Sequence, residues 1–465
     1  MQLVLVEATA GRQPHEEEHQ GQDRQRGGPV TPGASAHAGI IYGGGLANRG
    51  RSAPAGRSHG GSDLNGYRRA LRSPAFRRLW VAAAISRAGD AINFVALPVF
   101  AYAATDSAGA VAVLVGTEGV ALIAGGAAAH LVIDRLPPRA LLAGIDLGRA
   151  AAALALAAAP GYPAAVAVAA LLALGTSWFS PTSAALVPRL VDPASRAAAN
   201  ALLWTAGVAL QLVAAPLGGL LITVAPARVA FGLNALSFAV SALILTRLPH
   251  NQAAAAAGTG AWRQLPEVIR AIPLIPLLGP LLVTQALAAL AVGATSALLV
   301  VLAQNAYGLT GAGYGLWLAV IGGGALLGPL LAVRSSLSAA TVVAGAYTVR
   351  GAGDLVLGAL SNGFAGGALL FMYGLGTSSG TVAYQTLVQA AVPEALRGRV
   401  FALLDVVWQS ARLASIVLGG LMAEKVGVRW VFGAGGSLLL LAAVSGWMGL
   451  SGAMVAPTPE KPGSA

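Results

Sequence analysis

"ALVPRLVDPASRAAANALL" occupies residues 185–203, and "TLVQAAVPEALRGRVFALL" occupies residues 386–404. The two align without a gap at an offset of 201 residues. Val187 pairs with Val388, Arg196 with Arg397, and Ala201, Leu202 and Leu203 with Ala402, Leu403 and Leu404. The same offset carries Leu217-Gly218-Gly219-Leu220 onto Leu418-Gly419-Gly420-Leu421, and Arg149 onto Arg350. Any one pair can arise by chance. A shared offset across distant pairs marks an internal duplication.

The duplicated unit belongs in lipid. The 465 residues are 56% hydrophobic and only 10% charged, against about a quarter charged in soluble domains. Mean hydropathy is +0.70. The 61 glycines suit membrane helices, because small residues let backbones approach closely. Apolar runs cover 79–104, 110–133, 140–160, 164–187, 198–224, 229–247, 277–304, 312–333, 339–360, 364–390, 400–423 and 430–450. Each is near or above the ~20 residues a helix needs to cross the hydrocarbon layer. The runs are continuous rather than alternating, so helices are expected, and helices satisfy their own backbone in lipid. The expected fold is an all-α polytopic membrane protein with twelve transmembrane helices in two parallel six-helix repeats. The halves are 71–248 and 277–452, joined by a linker over 249–276, with a tail over 453–465. Residues 1–70 are basic, Gly-rich and poor in apolar residues. They read either as a disordered tail or as sequence ahead of a later true start.

The formal net charge of +11 does not indicate nucleic acid. The arginines sit in short breaks between apolar runs, where they set membrane orientation. With the N-terminus in the cytoplasm, the inside breaks hold Arg135, Arg139, Arg189, Arg196, Arg247, Arg263, Arg270, Arg334, Arg397 and Arg399. The outside breaks hold Arg228, Lys425 and Arg429. A plasma-membrane protein with both termini cytoplasmic is expected. There is no cysteine, which removes disulfides, thiolate metal sites and cysteine nucleophiles. No GxxxxGK[ST] stretch is present, so no ATP-driven motor is expected. The histidines show no metal-ligand spacing. No metal, cofactor or enzymatic centre is expected.

"HLVIDRLPPRALL", residues 130–142, is a charged knot between two apolar runs. Its Asp134, Arg135 and Arg139 match the G-x-x-x-D-R-x-x-R/K loop between helices two and three of the major facilitator superfamily, with His130 in the glycine position. "FRRLWVAAAISRAGDAINFVALP", "FSPTSAALVPRLV", "LNALSFAVSALIL" and "VPEALRGRVFALLD" resemble the efflux branch that includes macrolide and enterobactin exporters. The resemblance spans residues 70–450. It implies a monomeric secondary carrier whose partners are a small-molecule substrate, protons and the lipid bilayer. Its two halves would rock about a central cleft. Asp134 would latch the cytoplasmic gate in the outward-open state. It would pair with Arg135 or Arg139, or with the N-terminus of the span beginning at Val400, beside Arg397 and Arg399. The bland alternative is a solvated loop whose arginines only fix topology. In the second half the equivalent of Asp134 is Ser335, so the gate is asymmetric.

Charges inside the spans are costly and usually find partners. Arg87 with Asp90, Asp146 with Arg149, and Arg350 with Asp354 are spaced three or four apart, which places each pair on one helix face. Asp90 can alternatively reach Arg149 across helices. Glu118 has no basic residue at three or four positions on its own helix. Apolar surroundings disfavour the charged form of any carboxyl, as a proton carrier requires; a permanently neutral, hydrogen-bonded Glu118 is the competing reading. Asp405, Gln409 and Arg412 share a stripe, and Asp405 is a further proton candidate beside Asp90 and Glu118. In the family, helices one, two, four, five, seven, eight, ten and eleven line the cavity. Phe94, Trp178, Trp204, Gln211, Trp317, Tyr373, Tyr384, Trp408 and Gln409 fall in those spans and suit an amphiphilic ligand. Pro181, Pro216, Pro280 and Pro329 offer bending points. The expected function is proton-coupled efflux of a small lipophilic or amphipathic compound, of drug, macrolide or siderophore type. An uptake permease of the same fold and a non-transporting membrane receptor are the rivals.

Overall fold

The computed structural model describes residues 59–133, 135–249, 275–334 and 336–455. The chain divides into Met1–Leu64 and Asn65–Ala465. A helix over His59–Arg72 overlaps the stretch expected to lack structure. Ala70 and Leu71 give it an apolar contact, joining the cluster around Phe76 and Leu79. Asp134, most of the linker and the C-terminal tail from residue 456 lie outside the described residues.

All regular structure among the described residues is helical. The first half holds α1 (Pro74–Thr105), α2 (Ala108–Ile133), α3 (Pro138–Ala158), α4 (Tyr162–Leu190), α5 (Arg196–Val224) and α6 (Ala227–Leu245). The second holds α7 (Leu278–Ala297), continued by Leu299–Val301 and a π-turn over Leu302–Ala306. It then holds α8 (Gly311–Arg334), α9 (Ala339–Ala359), α10 (Gly363–Ala391), α11 (Glu394–Val426) and α12 (Val428–Val455). Every expected span falls in one of these. Among the described residues, ten helices are long and apolar enough to cross a membrane. The remaining two, α9 and α10, have 21 and 29 residues and are more polar. One carries Arg350 and Asp354, the other the run "GTSSGT" at 376–381.

Local chemistry sets the helix ends. Ser73 accepts from the Phe76 amide at 3.3 Å ahead of Pro74, so the cap side chain and the fixed proline φ start α1 together. Asp106 ends it in the left-handed region at φ 49°, its amide donating to the Tyr102 carbonyl at 2.7 Å. Asn362 caps α10 through the Phe364 and Ala365 amides at 3.0 and 3.1 Å. Gly427 alone joins α11 to α12 at φ 95°, a conformation that glycine adopts without a Cβ penalty.

The duplication is visible in the packing. In the first half α1 packs on α5 and α6, α3 on α4 and α6, and α2 on α4. Adding six to each label gives the pairs of the second half: α7 on α11 and α12, α9 on α10 and α12, and α8 on α10. The halves meet chiefly through α2 against α11 and α5 against α8.

Those meetings cluster at the end of the bundle away from the arginine-rich breaks. The repeated Leu-Gly-Gly-Leu has a division of labour. The first glycine packs within its own half: a Cβ on Gly218 would stand 2.8 Å from the Ile92 carbonyl oxygen of α1, and Gly419 abuts Ala294 of α7. The second glycine packs across the halves. Gly219 meets Gly311 and Gly315 of α8, and Gly420 meets Ala112 of α2. Polar contacts close the same end. The Glu424 carboxylate accepts from the Ser107 hydroxyl at 2.6 Å and the Gly109 amide at 3.2 Å. Asn305 donates to the Tyr102 hydroxyl at 3.1 Å, and Thr223 accepts from the Ala312 amide at 2.9 Å. One apolar core serves both halves there, from Val95 and Leu114 through Val301 and Ile416. At the arginine-rich end the cores are separate, one around Phe76 and Leu186, the other around Leu278 and Leu403. The cleft between the halves therefore opens toward the arginine-rich end.

Because the chain lacks cysteine, single thiols can test this seal. Gln409→Cys is expected to react with a water-soluble thiol reagent, and Ala112→Cys to be protected. Gly219→Val overpacks the crossing by about 1–3 kcal/mol and should expose Ala112→Cys. Protection that survives Gly219→Val would argue against glycine contact as the seal.

Candidate functional site

Two arginines lie deep in the bundle, one in each half, and they are held alike. Arg149 is 3% exposed. It donates to Asp146 at 3.3 Å, to the Leu172 carbonyl at 3.2 Å and to the Thr176 hydroxyl at 2.5 Å. Phe179 and Phe238 flank its guanidinium at 5.6 and 5.2 Å. Arg350 is 4% exposed. It donates to the hydroxyls of Thr377 and Ser296, each at 3.3 Å, and lies 3.8 Å from the Tyr373 ring centroid. Thr176 and Thr377 share the offset that relates the two arginines. The Arg–Thr unit is thus a feature of the duplicated ancestor. It could have been found by applying the offset to polar positions as well as to apolar ones.

The expected intrahelical ion pairs hold in one case of three. Asp146 and Arg149 close at 3.3 Å, and Ser86 donates to the same carboxylate oxygen at 3.5 Å. Arg87 does not close on Asp90. Its guanidinium donates to the Leu203 carbonyl of α5 at 3.0 Å, because a backbone acceptor on the neighbouring helix lies nearer. Asp90 closes no salt bridge with either Arg87 or Arg149. Arg350 and Asp354 also stay apart. Arg350 donates instead to Ser296 and Thr377, and closes no salt bridge with Asp354.

Among the described residues Glu118 closes no salt bridge, and the cation near it lies on another helix, in the other half. Glu118 interacts electrostatically with Arg412 of α11. The approach is close: a Cβ on Gly119, next in sequence to Glu118, would stand 3.8 Å from the Arg412 guanidinium. Asp90, Glu118, Asp405 and Arg412 are all half-buried. The α2–α11 contact includes Gly109 against Glu424 and Gly119 against Arg412, so this pair lies along the contact between the halves.

The aromatic and amide candidates divide. Phe94 is 50% exposed, and Trp178, Gln211, Tyr373, Trp408 and Gln409 are half-buried. Trp178 is oriented by a 2.9 Å bond to the Gly125 carbonyl. Trp317 and Tyr384 are core side chains instead. Trp317 stacks edge-on with Tyr307 at 4.9 Å and donates to the Gly363 carbonyl. Tyr384 donates to the Leu281 carbonyl at 2.9 Å. Sequence position alone does not say which face of a cavity-lining helix a ring occupies. The Trp204 side chain lies outside the described residues. Of the gate arginines, Arg135 occupies the exposed turn after α2, Arg139 the first turn of α3, and Arg399 the second turn of α11. Arg397 donates to the Val392 carbonyl at 3.1 Å, capping the end of α10.

The Asp146–Arg149 pair supplies a stability test. Arg149→Met leaves a carboxylate buried without its cation and should destabilise the protein by about 3–5 kcal/mol. Asp146→Asn combined with Arg149→Met should recover part of that loss in thermal unfolding. Equal losses in the single and double variants would mean that the pair is not coupled.

Residues 79–416 match the family model described as Major Facilitator Superfamily. No curated protein matches the chain at a significant level. Among solved structures, a mutant of the nucleoside transporter NupG superimposes with a TM-score of 0.67 at 11% identity, covering 81% of this chain and 99% of that one. A bacterial homologue of the iron transporter ferroportin, in an inward-facing state, gives 0.66 at 17% identity, covering 82% and 99%. A D-xylose-proton symporter gives 0.58 at 16% identity, covering 81% and 97%. At such identities the likeness concerns the fold. The family match covers most of the chain, and the paired six-helix halves with their cleft agree with it: the protein is a multi-pass membrane transporter of the secondary type, not an enzyme, and belongs to the major facilitator superfamily.

Proposed function

We propose that the protein exports a small lipophilic or amphipathic compound in exchange for protons, by alternating access, as a monomer crossing the plasma membrane twelve times. Both termini and the arginine-rich breaks face the cytoplasm, so the cleft described above is open to the inside. The observation that carries this reading is Glu118 against Arg412. A carboxylate from one half lies near a guanidinium from the other, half-buried, along the contact that joins the halves. While Glu118 is charged, attraction across the halves holds the outer end shut. Glu118 loses its proton to the cytoplasm when the cleft opens inward, bound compound then offsets that attraction and lets the halves rock outward, and Glu118 takes up its next proton from the outside. Asp90 and Asp405 serve as further proton sites. When the outer end parts, the cytoplasmic end must close, and Asp134 with Arg135, Arg139, Arg397 and Arg399 supplies the latch there. Phe94, Trp178, Gln211, Trp408 and Gln409 offer the cleft aromatic faces and amides for an amphiphile.

The direction of transport has a second reading. The structural neighbours include a D-xylose-proton symporter and a peptide transporter, so proton-driven uptake fits the same fold. A thermal-stability screen on the purified protein identifies ligands, and flux in proteoliposomes then decides. One-for-one exchange against a gradient of one pH unit should accumulate the compound about tenfold in the direction opposite to proton flow. Accumulation with proton flow would select uptake. Glu118→Gln should abolish the dependence on the gradient and leave equilibrium exchange intact. Transport equally fast with and without a gradient in the unaltered protein would end the proton reading.

A further inference from the structure

The two Arg–Thr units differ in what covers them, and the difference points to a ligand. In the first half, the positions one repeat before Ser296 and Tyr373 are Val95 and Leu172, both buried at 0% and 6% exposure. There Arg149 is neutralised by Asp146 and sealed under apolar side chains. In the second half the residue equivalent to Asp146 is Tyr347, and the cover is made of two hydroxyl groups. Ser296 is the only exposed residue of its helix between Thr284 and Ala303. Its hydroxyl lies 3.2 Å from that of Tyr373 on α10. α7 and α10 touch only slightly, while α9, which carries Arg350, packs closely on α10. Arg350 is thus the floor of a gap between two helices, and Ser296 and Tyr373 are its rim.

The hydrogens can be counted. Ser296 Oγ accepts from Arg350. The two hydroxyls hold two hydrogens, and their mutual bond uses one. The other meets no acceptor among the described residues. A hydroxyl donor beside a buried guanidinium, without an acceptor of its own, is left for something that enters the cleft. We propose that Ser296 and Tyr373, polarised by Arg350 behind them, form a subsite that donates a hydrogen bond to an oxygen acceptor, carbonyl or carboxylate, of the transported compound. This rests on the cleft reading under Proposed function and adds the polar chemistry of the ligand. Ionised, the carboxylates Asp90, Glu118 and Asp405 only accept hydrogen bonds, whereas this rim supplies a hydroxyl donor backed by a buried cation.

The test uses the full chain in lipid nanodiscs and three naphthalene probes with the same short alkyl chain, ending in a methyl ketone, a carboxylate or a plain methyl group. The unaltered protein should bind the ketone, the carboxylate or both about tenfold more tightly than the hydrocarbon, the worth of about one hydrogen bond. Ser296→Ala with Tyr373→Phe should erase that preference while the hydrocarbon still binds, and should lower ligand-free melting because Arg350 loses its Ser296 acceptor. A carboxylate preferred over the ketone assigns part of the recognition to the charge of Arg350; equal binding assigns it to the hydroxyls. No head-group preference, no binding of any probe, or a preference that survives the double variant overturns the proposal. Flux separates it from the carrier reading. Transport without head-group preference sinks this subsite alone, whereas preference without transport sinks the carrier alone.

Discussion

Lipid offers no hydrogen bonds, and almost everything in this structure follows from that. A backbone in hydrocarbon must close on itself, so the chain is helical wherever it is described. A charged side chain there must bring its own partners. Arg149 and Arg350 do so with hydroxyls, a carbonyl and aromatic faces, and Arg87 with the Leu203 carbonyl. Helices gain little from the hydrophobic effect against one another in such a medium, so close backbone contact replaces it. That is why glycines stand at the crossings that hold the halves together, and why one arginine, not a leucine, marks the centre of each half.

Duplication gave both halves the same solutions, and their later divergence separates support from chemistry. The Arg–Thr unit survives in both copies. One copy is closed by Asp146, Val95 and Leu172 and has become framework. The other is rimmed by Ser296 and Tyr373 and remains accessible. The Leu-Gly-Gly-Leu pair shows the opposite outcome: both copies keep one role within a half and one role across halves. Repeat symmetry therefore acts as an internal control, since each residue can be compared with the position 201 residues away in nearly the same surroundings.

Much of the fold was legible in the sequence because its signals are long and redundant. Every apolar run became a helix, and the offset of 201 reappeared as matched packing. The site was less legible because it depends on side-chain direction. Intrahelical spacing suggested that Arg87 pairs with Asp90 and Arg350 with Asp354, yet neighbouring helices supplied nearer acceptors. Spacing along one helix is blind to what the next helix presents. The same blindness placed Trp317 and Tyr384 among cavity candidates, although their polar atoms bind backbone carbonyls in the core. Glu118 stood out in sequence for lacking a partner on its own helix. The structure brings a cation near it from the other half, a relation no local pattern encodes. The contact of Glu424 with Ser107 and Gly109 joins residues more than 300 positions apart and carried no signal in the sequence at all.

The 33 residues of α11, about 50 Å of helix, hold Asp405, Arg412, Gly420 and Glu424 along one unbroken rod, with no proline among them. Its repeat counterpart, α5, carries Pro216 where α11 has Val417. One element can therefore work as a stiff lever, while its twin has a built-in joint. A shift of charge at Arg412 reaches the outer seal as rigid displacement along α11, whereas the matching contact through α5 can yield by bending.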